Sequence, residues 1–149
     1  MLRKVISTEN EYGATILRLT MGIMFFAHGA QKALGWFGGY GFHATLTSFT
    51  QMMHIPAVLA ILAMAAEFLG GLGLVAGLLT RIAALGIAVN MAVAVALVHH
   101  RFGFFMNWTG RNKGEGYEFH LLAIAAAVAL MIEGGGAISI DRLLTRRKG

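Results

Sequence analysis

Seven side chains able to donate hydrogen bonds or carry protons lie in or beside apolar runs of this sequence: His28, Lys32, Trp36, Glu67, His100, Tyr117 and His120. The most demanding is Glu67, which interrupts "AILAMAAEFLGGLGLV". A carboxylate surrounded by hydrocarbon must pair with a cation, take up a proton, or alternate between those states. Glu67 and His28 are therefore the expected acid–base residues. His28, Lys32, Trp36, His100, Tyr117 and His120 supply the polar groups expected to bind a cofactor around the carboxylate. A metal held by His28, Glu67 and one of His100 or His120 is the competing chemistry. No two of those ligands have the i, i+4 spacing of a helix-borne chelate, so no metal is expected. The chain contains no cysteine, which removes disulfides, thiolate sites and thiol nucleophiles together. Redox chemistry here calls for a borrowed, noncovalent cofactor.

The elements that must position these groups follow from composition. With 57% apolar and 13% charged residues over 149 positions and a mean hydropathy of +0.68, the chain reads as an integral membrane protein with one domain, residues 1–149. Crossing a hydrocarbon core takes about 20 helical residues. Four segments qualify, at about 13–34, 56–79, 81–101 and 117–133. The expected fold class is all-α, a polytopic membrane four-helix bundle. Pro56 is well placed to start the second segment, and the glycines at 134–136 stop the fourth. Residues 35–55 hold Trp36, Phe37, Tyr40 and Phe42, then "TLTSFTQMMHI", expected as an interfacial helix or aromatic loop. Residues 101–116 begin with aromatics and finish as a polar, glycine-rich loop. The amino-terminal run is not read as a signal peptide. Glu9 and Glu11 follow the basic pair Arg3 and Lys4, and Arg18 interrupts the apolar stretch.

The cations set an orientation. With both termini inside, the cytoplasmic side holds Arg3, Lys4, Arg81, Arg142, Arg146, Arg147 and Lys148, against Lys32, Arg101, Arg111 and Lys113 on the other. A multi-pass protein of the cell inner (plasma) membrane is expected, with membrane lipid as its surroundings. The net charge of +5 sits at helix ends and termini, not in an aromatic-interleaved patch, so nucleic acid is not an expected partner. On the first helix Arg18, Met21, Phe25, His28 and Lys32 follow three- and four-residue steps and are expected on one protein-facing stripe. Asn90 is placed mid-membrane and roughly shares a face with His100, whereas His99 points almost oppositely. By depth, His28, Lys32, His100, Tyr117 and His120 fall in the outer third of the bilayer, with Glu67 just beneath. The expectation is a polar pocket open to the outer side. Each group also has a plainer role: Arg18 and Lys32 reaching headgroups, His28 and Asn90 bonding between helices, Glu67 in a structural ion pair with His28 or Lys32.

The stretches "LRLTMGIMFFAHGAQKALGWFGG", "AEFLGGLGLVAGLLTRIAAL" and "GYEFHLL" followed by "IDRLL" resemble the DoxX family of small four-helix membrane proteins over nearly the whole chain. The residues that carry the likeness include Arg18, His28, Gly29, Lys32, Gly35, Trp36, Glu67, Gly70, Gly71, Thr80, Arg81, Tyr117 and Glu118. The resemblance implies redox work at the membrane, since some relatives are described as subunits of a thiosulfate:quinone oxidoreductase and others as membrane partners of soluble oxidant-defence enzymes. Without cysteine this chain has no persulfide-forming residue. A quinone suits the polar residues themselves: its two carbonyl oxygens accept hydrogen bonds and its reduction takes two protons. His28, Lys32 and Trp36 are the expected donors, with Glu67 and His100 or His120 as proton carriers. The expected function is a redox-associated membrane subunit working with other protein subunits or as a homo-oligomer. The alternatives are a noncatalytic membrane anchor or assembly subunit and, with less to recommend it, a small transporter, for which the chain has no inverted repeats.

Overall fold

A computed structural model describes residues 11–146 of the chain. Among these residues the fold is all-α, with no strand. Helix α1 spans Tyr12–Leu34, a short α2 spans Gly41–Thr47, α3 spans Ala57–Ala76, α4 spans Thr80–Leu97, α5 spans Glu118–Glu133, and a short α6 spans Ile140–Arg146. The four long helices run alternately up and down. One end of the molecule carries the connections 35–56 and 98–117, rich in aromatics, and the other carries the tight turns at 77–79 and 134–139. We call these the aromatic end and the turn end. The cations Arg3, Lys4, Arg147 and Lys148, on which the orientation partly rests, lie outside the described residues.

Two helices, Ala57–Ala76 and Thr80–Leu97, are long and apolar enough to cross a membrane. All four long helices turn large aliphatic side chains outward: Ile16 and Ile23 on α1, Val58 and Leu62 on α3, Ile82 and Val89 on α4, Leu122 and Ile132 on α5. The interior mixes alanines, Ala14, Ala84, Ala123 and Ala127, with larger groups such as Met21, Phe25, Leu74 and Ile87. Large aliphatic groups on the outside, with alanine and glycine at the helix contacts, are what a hydrocarbon solvent selects, because packing rather than water exclusion then holds helices together.

The crossing of α1 and α3 is the closest in the fold. A Cβ placed on Gly29 would strike the backbone of Glu67 and Phe68, and one placed on Gly71 would strike the backbone of Phe26. Glycine at these points lets the two helices touch main chain to main chain. Phe26 and Phe68 stack beside the crossing at 5.4 Å between ring centroids. The turn between α3 and α4 uses Gly77 in the left-handed region (φ 67) and then Leu79, which also has positive φ (51). A leucine there is strained, and its support comes from far along the chain: the Asp141 carboxylate accepts the N–H groups of Leu79 (2.8 Å) and Thr80 (2.9 Å). Asp141 thus caps the amino end of α4, which has no capping side chain of its own.

One expected boundary differs in a way that matters. The third apolar segment was expected to stay helical to about 101, but α4 ends at Leu97, and Val98 leaves the helical region (φ −124, ψ −58). Beyond it His99–Phe102 form a tighter turn. Side-chain directions extrapolated at about 100° per residue therefore fail for His99 and His100.

Candidate functional site

Glu67 lies near the middle of α3 and is only 4% exposed. Its carboxylate accepts two hydrogen bonds from Lys32 Nζ, at 2.6 Å to Oε1 and 2.5 Å to Oε2. Asn90 Nδ2 of α4 donates a third to Oε1 at 2.9 Å. The bonds depend on the α1–α3 crossing. Gly29 sits against the Glu67 backbone, so Lys32, three residues on and hence on nearly the same face, reaches the carboxylate. A carboxylate so little exposed is largely cut off from water, and three charge-assisted donors are the alternative to protonation. The ammonium has three N–H groups. Two are directed at Glu67, and the third is available to a ligand. The Lys32 side chain is 32% exposed, so the pair is open on the lysine side.

Beside it, at the first turn of α5, His120 is 6% exposed, and its Nδ1 is buried with no hydrogen-bond partner among the described residues. The charge of Lys32 bears on this ring. The imidazole of His99 lies over His120 at 3.9 Å between centroids. His99 is itself held by a 2.8 Å hydrogen bond between its Nδ1 and the Glu115 carbonyl. If His99 is neutral, that bond makes Nδ1 the donor and leaves Nε2 as the acceptor. Glu118, two residues before His120 at the same helix end, ties down the 103–117 loop. Its Oε1 accepts the Met106 N–H (3.0 Å) and the Trp108 indole N–H (2.9 Å).

Of the seven expected side chains the structure joins Lys32 and Glu67 directly, leaves His120 within range of the Lys32 charge, and disperses the others. His28 is exposed and gives Glu67 no hydrogen bond; Lys32 is the carboxylate's ion-pair partner. The reason is angular: ten residues beyond Arg18 a helical side chain has turned about 80° away from it, so the stripe of Arg18, Met21 and Phe25 does not pass through His28. Trp36 is 52% exposed and stands edge-on to Phe37 in a turn that Gln31 braces by donating to the Phe37 carbonyl at 3.2 Å. His100 is exposed, with its Nδ1 3.2 Å from the Val95 carbonyl. Tyr117 is half-buried and packs edge-on against Phe104. Two members of the cluster were not among the expected site residues. Asn90 stood out as a lone amide in an apolar helix, while His99 was set aside because an unbroken α4 would have pointed it away.

A second buried polar cluster occupies the turn end. Arg18, 1% exposed, donates Nε to the Gly135 carbonyl at 2.9 Å, Nη2 to Ile138 at 2.5 Å, and Nη1 to Val75 at 2.7 Å and also to Leu74. It does not reach out to headgroups. Leu74 and Val75 end α3, where backbone carbonyls lack partners, so Arg18 acts as the cap of that helix. Arg81 does the same for α5 through the Met131 and Ile132 carbonyls, both at 2.8 Å.

The DoxX family model matches residues 13–100. The chain is 30% identical to "Inner membrane protein YqjF" of Escherichia coli (strain K12), covering 92% of this chain and 95% of that protein. It is 27% identical to "Putative oxidoreductase CatD" of Bacillus subtilis (strain 168), covering 93% and 91% respectively. No solved structure matches. The family match over more than half of the chain and the relative at 30% identity, with the apolar exterior, show the family: this protein belongs to the DoxX family of membrane proteins.

Proposed function

We propose that this chain is a multi-pass subunit of a redox complex in the cell inner (plasma) membrane, and that it binds a quinone headgroup at Lys32, Glu67 and His120. In this reading the four long helices form a transmembrane bundle with both termini cytoplasmic. Outward aliphatic side chains on all four helices support the bundle. Arg81 and Arg142 at the turn end, together with the terminal cations of the sequence, support the orientation. One observation carries the site: the buried His120 Nδ1 has no partner among the described residues, and the ring lies within range of the Lys32 charge. A buried polar atom left unpaired costs about 1–3 kcal/mol, and a ligand acceptor removes that cost.

A quinone, when bound, supplies a two-electron, two-proton redox centre. The chain's own residues do the rest. Lys32 Nζ and His120 Nδ1–H would hold the two acceptor oxygens. Glu67 would take or release a proton across the ion pair, because protonating the carboxylate leaves Lys32 able to balance negative charge on the ligand. Asn90 keeps Oε1 of Glu67 oriented in either state. The name of the Bacillus relative, an oxidoreductase, agrees with this use.

The test is extraction. Protein purified in mild detergent from quinone-containing membranes should retain about one quinone per chain, and Glu67→Gln or His120→Phe should lower retention several-fold. Folded wild-type protein that arrives without quinone and takes up none from added short-chain ubiquinone overturns the reading. A second reading, a noncatalytic anchor, has its own observation in the uncovered aromatic end, where Tyr40 is 87% and Trp108 84% exposed. A companion polypeptide that co-purifies with quinone-free protein decides for the anchor.

A further inference from the structure

The histidine pair at the aromatic end has a property that the quinone reading leaves unused. His99 and His120 lie ring over ring, 3.9 Å between centroids and tilted by 38°. Two imidazolium rings so close would repel, so the pair accepts one added proton and resists a second. The rings do not compete for that proton equally. His120 is buried, and its Nδ1 has no partner among the described residues. His99 is half-buried in the turn beyond α4. Its Nδ1 lies 2.8 Å from the Glu115 carbonyl oxygen, which accepts from the neutral ring and accepts more strongly from the cation. With Nδ1–H held there, the added proton goes to Nε2 of His99. The ionisable groups on the surrounding elements already have other engagements. Lys32 of α1 is paired with Glu67 of α3. The Glu118 carboxylate accepts the Met106 and Trp108 N–H groups, and that of Glu115 accepts the Asn107 N–H. Arg101 donates to the Leu97 carbonyl, His100 turns to the Val95 carbonyl, and Tyr117 packs on Phe104. His28, Arg111 and Lys113 are exposed.

We propose that His99 sets the charge of the ligand this site accepts, so that an anionic quinoid, a deprotonated hydroxyquinone or quinol, binds more tightly when His99 is protonated. The proposal rests on the quinone reading and names the ligand class of the same site. A ligand oxygen that accepts the His120 Nδ1–H is separated from His99 by one imidazole ring. While His99 is neutral, Lys32 and Glu67 cancel, and the carboxylates of Glu115 and Glu118 remain nearby, so an anion gains little. A proton taken from the outer medium onto His99 Nε2 adds one positive charge at the face of the donor ring, with no other bond made or broken. Histidine is the side chain that ordinarily changes charge between about pH 5 and 8. Affinity for an anion therefore rises as the outer pH falls, while affinity for a neutral quinone stays level. By reciprocity, binding of the anion draws a proton onto His99.

Binding of two probes to the full-length protein in mild detergent tests it: an ionised hydroxynaphthoquinone and neutral short-chain ubiquinone, each titrated at about pH 5.5 and about pH 8. The anion should bind about tenfold more tightly at the lower pH, as expected for one added charge a few ångströms beyond the donor ring. The neutral probe should change by less than about twofold. His99→Gln should hold the anion at its weaker, high-pH affinity at both values. His99→Phe keeps a ring over His120 without the charge, and should do the same. A pH dependence that survives in both variants, or one that is equally strong for the neutral probe, overturns the inference and leaves the quinone reading standing. Failure of the wild-type protein to bind either probe overturns the quinone reading and the inference with it.

Discussion

Two buried ionic clusters sit at opposite ends of this small fold, and they are built differently. At the turn end, Arg18 donates to four backbone carbonyls and Asp141 accepts two backbone N–H groups. Both charges are matched to helix termini, whose unpaired backbone groups are expensive in a membrane. Toward the aromatic end, Lys32, Glu67 and Asn90 are joined side chain to side chain, with a spare lysine N–H and a partnerless histidine nitrogen beside them. The first cluster satisfies the backbone and holds the helices in register. Each leaves one buried atom without a partner among the described residues, the Thr80 hydroxyl in the first and His120 Nδ1 in the second, but only the second adds an ion pair open on one side, which a ligand can reach. Burial of charge alone would not have told them apart; the identity of the partners does.

The comparison predicts a gradient of effects. Arg18→Leu should be the most damaging substitution, because it strands carbonyls of α3 and of the 134–139 turn; a loss of roughly 3–5 kcal/mol is expected, read as a fall in the thermal midpoint or in the yield of monodisperse protein. If Arg18→Leu melts like wild type, the turn-end cluster is not the structural one. Next comes Gly29→Ala, whose Cβ meets backbone rather than a yielding side chain. It should cost about 1–3 kcal/mol and also weaken quinone retention, since moving α1 off α3 draws Lys32 from Glu67. Normal stability with normal retention in this variant would detach the site from the helix crossing. Glu67→Gln should cost only about 1 kcal/mol, because Lys32 is one-third exposed and can turn to solvent, yet retention should fall several-fold. The smallest stability effect belongs to His120→Phe. It keeps a ring over His99 and removes a polar atom with no partner, so the melt should shift little in either direction while retention drops. A large destabilisation would mean that His120 is bonded in the folded protein after all.

Much of this was readable from residue types. The four apolar segments and the exceptional position of Glu67 follow from spacing and from the cost of charge in hydrocarbon, whereas its partner stays open in the sequence between His28 and Lys32. What escaped the sequence depended on breaks and long-range contacts. The departure of Val98 from helical geometry brought His99 onto His120, and no residue at that point announces a break. The capping of α4 by Asp141, 61 residues beyond Thr80, has no local signature either. His28 erred for a subtler reason: three- and four-residue steps each look like one face, but they swing to either side of it, and His28 falls at the outer edge of that swing, about 80° from Arg18, while Lys32 swings back. Arg18 shows the same limit in reverse, since a long side chain near a helix end reads as reaching for headgroups until the carbonyls it meets are known.

The central claim is that the Lys32–Glu67–His120 cluster exists for a ligand and the Arg18–Asp141 cluster for the fold. It is tested most directly by quinone content per folded chain in Glu67→Gln beside Asp141→Ala, both extracted in the same mild detergent. The account predicts that Asp141→Ala loses about 1 kcal/mol of stability yet keeps its quinone, whereas Glu67→Gln folds and loses quinone several-fold. Equal quinone content in the two variants, at whatever level, would contradict it.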